Sequence, residues 1–278
     1  MPHRLNYLCR IFILGFAISI RSGFAQEQIK GKQPITPVQE READVMLSKR
    51  IWRVIDLRQK QNTEATWPKN PLVKILYEVV SSAKLKAYLN DSLSSTYNLE
   101  EFLQRGSNEV LVRKLIDPNS DDDRFTTDTV YEPFVPTERI KQILVLEDWL
   151  YDKKNSREFV RIIAIAPLFR LQVSGIDLGL QPLCWLKYYD RFQQEKSCRD
   201  VLSTQVMFNA MNSRSNDFSY DDWFEQRRFS SYIIKESNQY DISIMDDPEV
   251  KQNGIQALIQ AARMKNEAYE KDANHYEE

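Results

Sequence analysis

Three apolar runs in mid-chain, a proline-started helix before them and a β-prone aromatic stretch after them predict an α+β fold. The expected architecture is a central antiparallel β-meander flanked by helices. Two similar helix–strand–helix units are expected in the N- and C-terminal parts. The three runs are Arg139 to Tyr151, Glu158 to Leu168 and Pro182 to Tyr189, separated by turn-like segments at 152–157 and 174–179. Val160, Ile162, Ala164 and Ala166 alternate with Arg161, Ile163 and Ile165, so the central run is apolar on both faces. That pattern suits a strand covered on both sides. With 278 residues, 42% hydrophobic and 28% charged, the chain is long enough and apolar enough to bury a core.

Taken in order, Arg4 and Arg10 precede an apolar run from Ile11 to Ile20, and small residues lead to Ala25. This predicts a secretory signal over 1–25, cleaved after Ala25. Cys9 lies before the apolar run, whereas a lipidation cysteine would follow it. Residues 26–41, with Pro34 and Pro37, read as an extended leader. One α+β domain is expected over 42–270, its outer parts about 42–90 and 219–270 around the meander, with a polar tail over 271–278.

Helical potential from Glu40 to Lys49 gives way to a strand over 51–58, although Ile51, Ile55 and Leu57 interrupt strict alternation. Residues 62–69 read as a loop. Asn70-Pro71 starts an amphipathic helix running to Ala87, with Leu72, Ile75, Leu76, Val79, Val80 and Ala83 on its apolar side. A serine-rich loop, 92–96, precedes a short helix over 99–104, and 110–116 reads as a strand. A helix over 195–208 follows the meander, then a polar loop over 209–219. Next come a short aromatic helix over 221–227 and the stretch Phe229 to Asp241, whose polar run 235–238 is expected to turn. Asp247-Pro248 again pairs a cap residue with proline, and a final helix is expected over 253–269 with the stripe Ile255, Leu258, Ile259 and Ala262.

A displacement of 177 residues lays Asp44 on Asp221, Arg50 on Arg227, Trp52 on Phe229, Leu57 on Ile234 and Pro71 on Pro248. This suggests an internal duplication.

Composition narrows the chemistry. Glycine is scarce, 7 residues, about a third of what average usage of roughly 7% gives. That scarcity counts against phosphate-cradling loops. Of two histidines, His3 lies in the signal and His275 in the tail, so the core offers no imidazole for nucleophilic catalysis or zinc. Removing 1–25 takes away Arg4, Arg10 and Arg21 and no acid, moving the formal charge from −2 to −5. Basic residues are dispersed among acids, which argues against nucleic acid as a partner. Asp117, Asn119, Asp121 and Asp128 match part of a calcium loop, but Asp122 stands where the turn needs glycine and Arg124 sits inside it. The acidic run reads better as a solvated loop. Cys184 and Cys198 either bridge a short loop or remain two buried thiols; spacing leaves both open. Trp67, Trp149, Trp185, Trp223 and Tyr188-Tyr189 are either core or contact anchors. A carboxylate-only hydrolase would draw on Glu147-Asp148, Asp221-Asp222 or Glu236, but adjacent acids on a strand face opposite ways, so these acids read better as solvated surface charge. A solute-binding protein would need a deep cleft.

Three blocks resemble the GldN/PorN family: Ser48 to Arg58; Glu147 to Asp152 with Val160 to Pro167; and Phe229 to Asp241, preceded by Asp221-Asp222. Ile242 departs from the basic residue expected there. The resemblance implies a non-enzymatic periplasmic subunit of the type IX secretion and gliding machinery. It implies no cofactor and no catalytic residues. The implied partners are the outer-membrane lipoprotein GldK/PorK, the periplasmic region of GldM/PorM and further copies of the chain within a ring, a structural subunit on the inner face of the outer membrane.

Overall fold

The structure, a computed structural model, describes residues 32–34, 42–105, 107–115, 125–132, 134–155, 157–173, 176–190, 194–207, 218–237, 243–244, 256–257, 259–264 and 266. The strands are β1 (Val45–Asp56), β2 (Asn108–Leu115), β3 (Phe125–Glu132), β4 (Ile140–Asp152), β5 (Arg157–Val173), β6 (Ile176–Pro182), β7 (Leu186–Lys187) and β8 (Tyr232–Glu236). The α-helices are α1 (Leu72–Ser81), α2 (Leu99–Gln104), α3 (Pro136–Arg139), α4 (Cys198–Leu202) and α5 (Tyr220–Glu225). The main sheet runs β6-β5-β4-β1-β8, with β7 paired to β5, while β2 and β3 form a separate hairpin. Every pairing is antiparallel. The fold is α+β, and β4, β5 and β6 are consecutive neighbours in a meander.

Strands β1, β4 and β5 are buried on both sides, which explains why they lack a clean alternation of apolar and polar residues. On one face, Ile55 of β1, Ile143 and Val145 of β4, and Ile165 and Phe169 of β5 meet Leu72, Ile75, Leu76 and Val80 of α1 with Trp223 and Phe224 of α5. On the other, Trp52, Val54, Leu144, Leu146, Ala164, Ala166 and Leu168 pack with Trp185 and the half-buried Tyr88 and Leu93. A smaller cluster joins Ile51, Trp149 and Ile233 to Ile244, Ala257 and Ala261. A register shift at Leu146/Glu147 adds a residue to one strand and re-aims the side chains beyond it.

Several elements depart from the sequence expectation. Residues 45–49 extend β1 rather than a helix, because pairing with β4 runs from Asp152 back to Gln142 and outweighs local helix potential. Residues 60–66, expected in a loop, form a 3-10 helix. The helix begun at Asn70-Pro71 stops at Ser81, not Ala87. Lys84 N donates to Val79 O and Ala83 N to Val80 O, with Ala83 at φ 54°. This is a left-handed helix stop built without the glycine that normally announces it. The third run of the meander falls earlier than expected: β6 occupies most of 174–179, and 182–189 contributes only β7. The helix expected over 195–208 shrinks to Cys198–Leu202, capped by Ser197 and Asp200. Lys235 and Glu236 continue β8 instead of turning, and Phe229 lies before the strand as a core residue. Near the C-terminus, residues 259–264 are helical, but Ala257 and Ala261 face inward while Ile259 is 61% exposed. Of the predicted stripe, Ile259 and Ala262 are exposed, and Ile255 and Leu258 lie outside the described residues.

The duplication is not supported. Val45 to Ser48 are strand, whereas their counterparts Asp222 to Glu225 are helix, and β1 and β8 pair with each other out of the expected equivalence, Trp52 opposite Lys235. Shared amphipathic spacing suffices for the likeness.

Candidate functional site

Charge is concentrated at two buried hubs. Glu147, 0% exposed, lies on β4 with Arg53 of β1 on one side and Arg227 on the other. Its Oε2 accepts from Arg53 Nε at 3.1 Å and from Trp149 Nε1 at 3.1 Å. Arg227 Nη2 donates to Oε1 at 2.9 Å and to Oε2 at 3.0 Å. Arg227 is aimed by the end of α5, where Arg228 N bonds Trp223 O and Arg227 N bonds Phe224 O with Arg227 at φ 51°. Both guanidinium groups also lie about 6 Å from the Trp149 ring centre, 5.9 Å for Arg53 and 6.0 Å for Arg227. The carboxylate is saturated by cations and an indole, an arrangement that holds charge in place rather than one that transfers a proton.

The second hub is Asp221, whose Oδ1 accepts from Tyr188 Oη at 2.9 Å and Arg199 Nε at 3.0 Å. Burial holds the Asp221 carboxyl above its ordinary range, with Arg199 opposing, and burial likewise raises Tyr188 and Glu225. A third group sits at the end of β1. Arg58 hydrogen bonds to Asp56 hold that carboxyl well below the usual range, helped by Gln142 Nε2 at 3.0 Å.

The acids weighed for catalysis are dispersed. Asp148 points to the face opposite Glu147 and pairs with Arg50 at 2.7 and 2.9 Å. Asp222 caps α5 through Ser219 and pairs with Lys32. Glu236 pairs with Lys49 at 2.5 Å. The structure does not bring these residues into one site.

Asp117, Asn119 and Asp121 lie outside the described residues. Asp128 stands in mid-β3 opposite Val112, on a strand and not in the loop a calcium site of that pattern requires. Cys184 and Cys198 are free, buried thiols. Burial pushes Cys184 up to about 12 and raises Cys198 as well. Trp149, Trp185, Trp223 and Tyr188 are core, Tyr189 is half-buried, and Trp67 is partly exposed beside Lys69.

Two surface features stand apart. The edge strand β6 exposes Ile176 (65%), Leu178 (50%) and Leu180 (47%), and its register with β5 shifts at Arg170/Gln172 beside Gly179 at φ 78°. A cleft of about 680 Å³ opens between the C-terminal end of α1 and α4. Tyr77, Val79 and Val201 give it an apolar part, with Lys84, Lys196 and Asp200 among its polar lining. Sequence reasoning missed the cleft because its walls come from segments more than 100 residues apart. It also missed Arg53, Arg199 and Arg227 as partners, though an arginine inside the apolar run Ile51 to Leu57 was a readable sign of a buried counter-charge.

Ion-paired acids, β-strands covered on both faces and an exposed aliphatic edge characterise this α+β protein. A family model described as "Gliding motility associated protein GldN" matches residues 40–277. The chain belongs to the GldN family, a family of gliding motility components and not of enzymes. No curated protein matches it.

Proposed function

We propose that this chain is a structural subunit of a periplasmic ring in the type IX secretion and gliding machinery. In this reading it is exported with a cleaved signal, binds the outer-membrane lipoprotein GldK/PorK, associates with further copies of itself and contacts the periplasmic region of GldM/PorM. The observation that carries it is the family match over residues 40–277, which takes in all three resemblance blocks. The structure is consistent with a contact role: its buried carboxylates are held by arginines, and its edge strand β6 presents three large aliphatic side chains to solvent. An edge strand of that kind is an ordinary site for strand addition by a partner.

The test is deletion of the coding sequence in the species of origin, with complementation by the full chain and by a chain lacking residues 1–25. The reading expects loss of type IX secretion, restored only by the chain that carries the signal. Unimpaired secretion and spreading after deletion would refute it.

A further inference from the structure

The cleft between α1 and α4 has a chemistry that one segment of this same chain complements. Its lining holds two acids and two lysines, but the acids are engaged. Glu78 pairs with Lys74 at 3.7 Å, and Asp200 Oδ2 accepts from Ser197 N at 2.8 Å and Ser197 Oγ at 2.7 Å to cap α4. Lys84 and Lys196 have no acidic partner among the described residues. Lys84 is fixed at the rim, because its backbone closes the left-handed stop of α1. Tyr77, Val79 and Val201 line the same cleft. The cleft thus asks for an apolar or aromatic side chain flanked by carboxylates.

Residues 267–278 supply that pattern twice. Tyr269 stands between Glu267 and Glu270, and Tyr276 is followed by Glu277 and Glu278; with Asp272 the segment carries five acids against Lys271 alone. The helical residues that precede it in the chain belong to another part of the core than the cleft walls. The preceding helical residues Ala257, Ala261 and Met264 pack with Ile51, Trp149 and Ile233, whereas α1 and α4 belong to a cluster that shares no member with these.

We propose that the cleft of one copy receives the acidic, tyrosine-bearing segment 267–278 of a neighbouring copy. Donor and acceptor surfaces differ, so the contact is heterologous, the kind that propagates from copy to copy and closes into a ring when the rotation permits. The proposal rests on the reading of the chain as a self-associating subunit, and it names the surfaces. Lysine–carboxylate pairs at the rim set specificity and salt dependence, while tyrosine burial on Tyr77, Val79 and Val201 supplies most of the affinity.

The experiment uses the full mature chain with Tyr276→p-benzoylphenylalanine, irradiated at low and high ionic strength. The cross-linked peptides are then identified by mass spectrometry. The expected product is a covalent dimer joining position 276 to residues within 77–84 or 196–205. Its yield should fall about tenfold or more with Lys84→Glu/Lys196→Glu and at high salt. An intrachain link to the same cleft, a link to another surface, or a dimer yield indifferent to the charge reversals would each overturn the proposal. Melting temperature of the double variant, expected to match the parent, separates lost docking from lost folding. Because the readout is a cross-link site, it is scored whether or not rings form: rings without this link defeat the docking, and the link without rings leaves it standing.

Discussion

Replacing Glu147 by Gln preserves the shape of the side chain and removes its charge, taking from Arg53, 5% exposed, the carboxylate it pairs with. Arg227, half-buried, can turn to water; Arg53 cannot. Removing one member of a buried pair costs about 3–5 kcal/mol, because an uncompensated charge stays behind. Against a total stability of roughly 5–15 kcal/mol that is a large share. At about 2–4 °C per kcal/mol for a chain of this size, Tm should drop by roughly 6–20 °C. The internal control is the next residue. Asp148 faces the other way and pairs with Arg50, whose side chain is 44% exposed; Asp148→Asn should cost no more than about 1 kcal/mol. Urea unfolding followed by tryptophan fluorescence measures both, with an unchanged m-value expected. A combined Arg53→Met/Glu147→Leu variant removes both charges and should recover much of the Glu147→Gln loss. If Glu147→Gln costs under about 1 kcal/mol, or no more than Asp148→Asn, the reasoning about the buried hub is wrong.

Ala83→Gly should stabilise by up to about 1 kcal/mol, since Ala83 occupies the left-handed region at φ 54°; a loss on thermal unfolding would show that the stop is not strained. Cys184 and Cys198 should resist a thiol reagent in the native protein and react together on unfolding, whereas a mature chain lighter by two hydrogens would reveal a bridge. Asp56 and Asp190 have depressed carboxyls, held by Arg58 and Lys187 respectively. Their contribution is complete above the unfolded value of about 4 and disappears as pH falls through the folded one. Asp56→Asn should therefore flatten the fall in stability below about pH 4, and an acid limb of unchanged slope would contradict this assignment. Asp221 has the opposite sign: its carboxyl is raised by burial, so its share is present at low pH and fades as pH rises from about 4 through the raised value.

The parts of the fold legible in sequence were those whose local pattern and tertiary role agree. Pro71 with Leu72, Ile75, Leu76 and Val79 announced the start of α1 and its buried side, and Val160 to Ala166 showed that β5 is covered on both faces. Pro71 is itself the cap residue, however, and Asn70 donates to Val206 O instead of capping the helix. Illegible parts were settled by partners distant in the chain. Residues 45–49 become strand because β4 lies alongside, and α1 stops at a left-handed alanine where no glycine gave warning. Of the stripe expected near the C-terminus, Ile259 faces solvent, while Ala257 and Ala261 pack with Ile51, Trp149 and Ile233. Among the site residues, Glu147 and Asp221 read from sequence as solvated surface charge, and the structure corrects this: they are 0% and 4% exposed. Their burial was not legible, since it depends on Arg53, Arg199 and Arg227 arriving from other elements.

The account stands on contact as the chain's mode of action. The most direct test is to co-express residues 26–278 with the proposed lipoprotein partner and measure the mass and shape of what co-purifies, by light scattering and particle imaging. The account predicts a shared assembly many times heavier than either chain, ring-shaped in projection. Two separate monomer peaks, with no common particle, would contradict it.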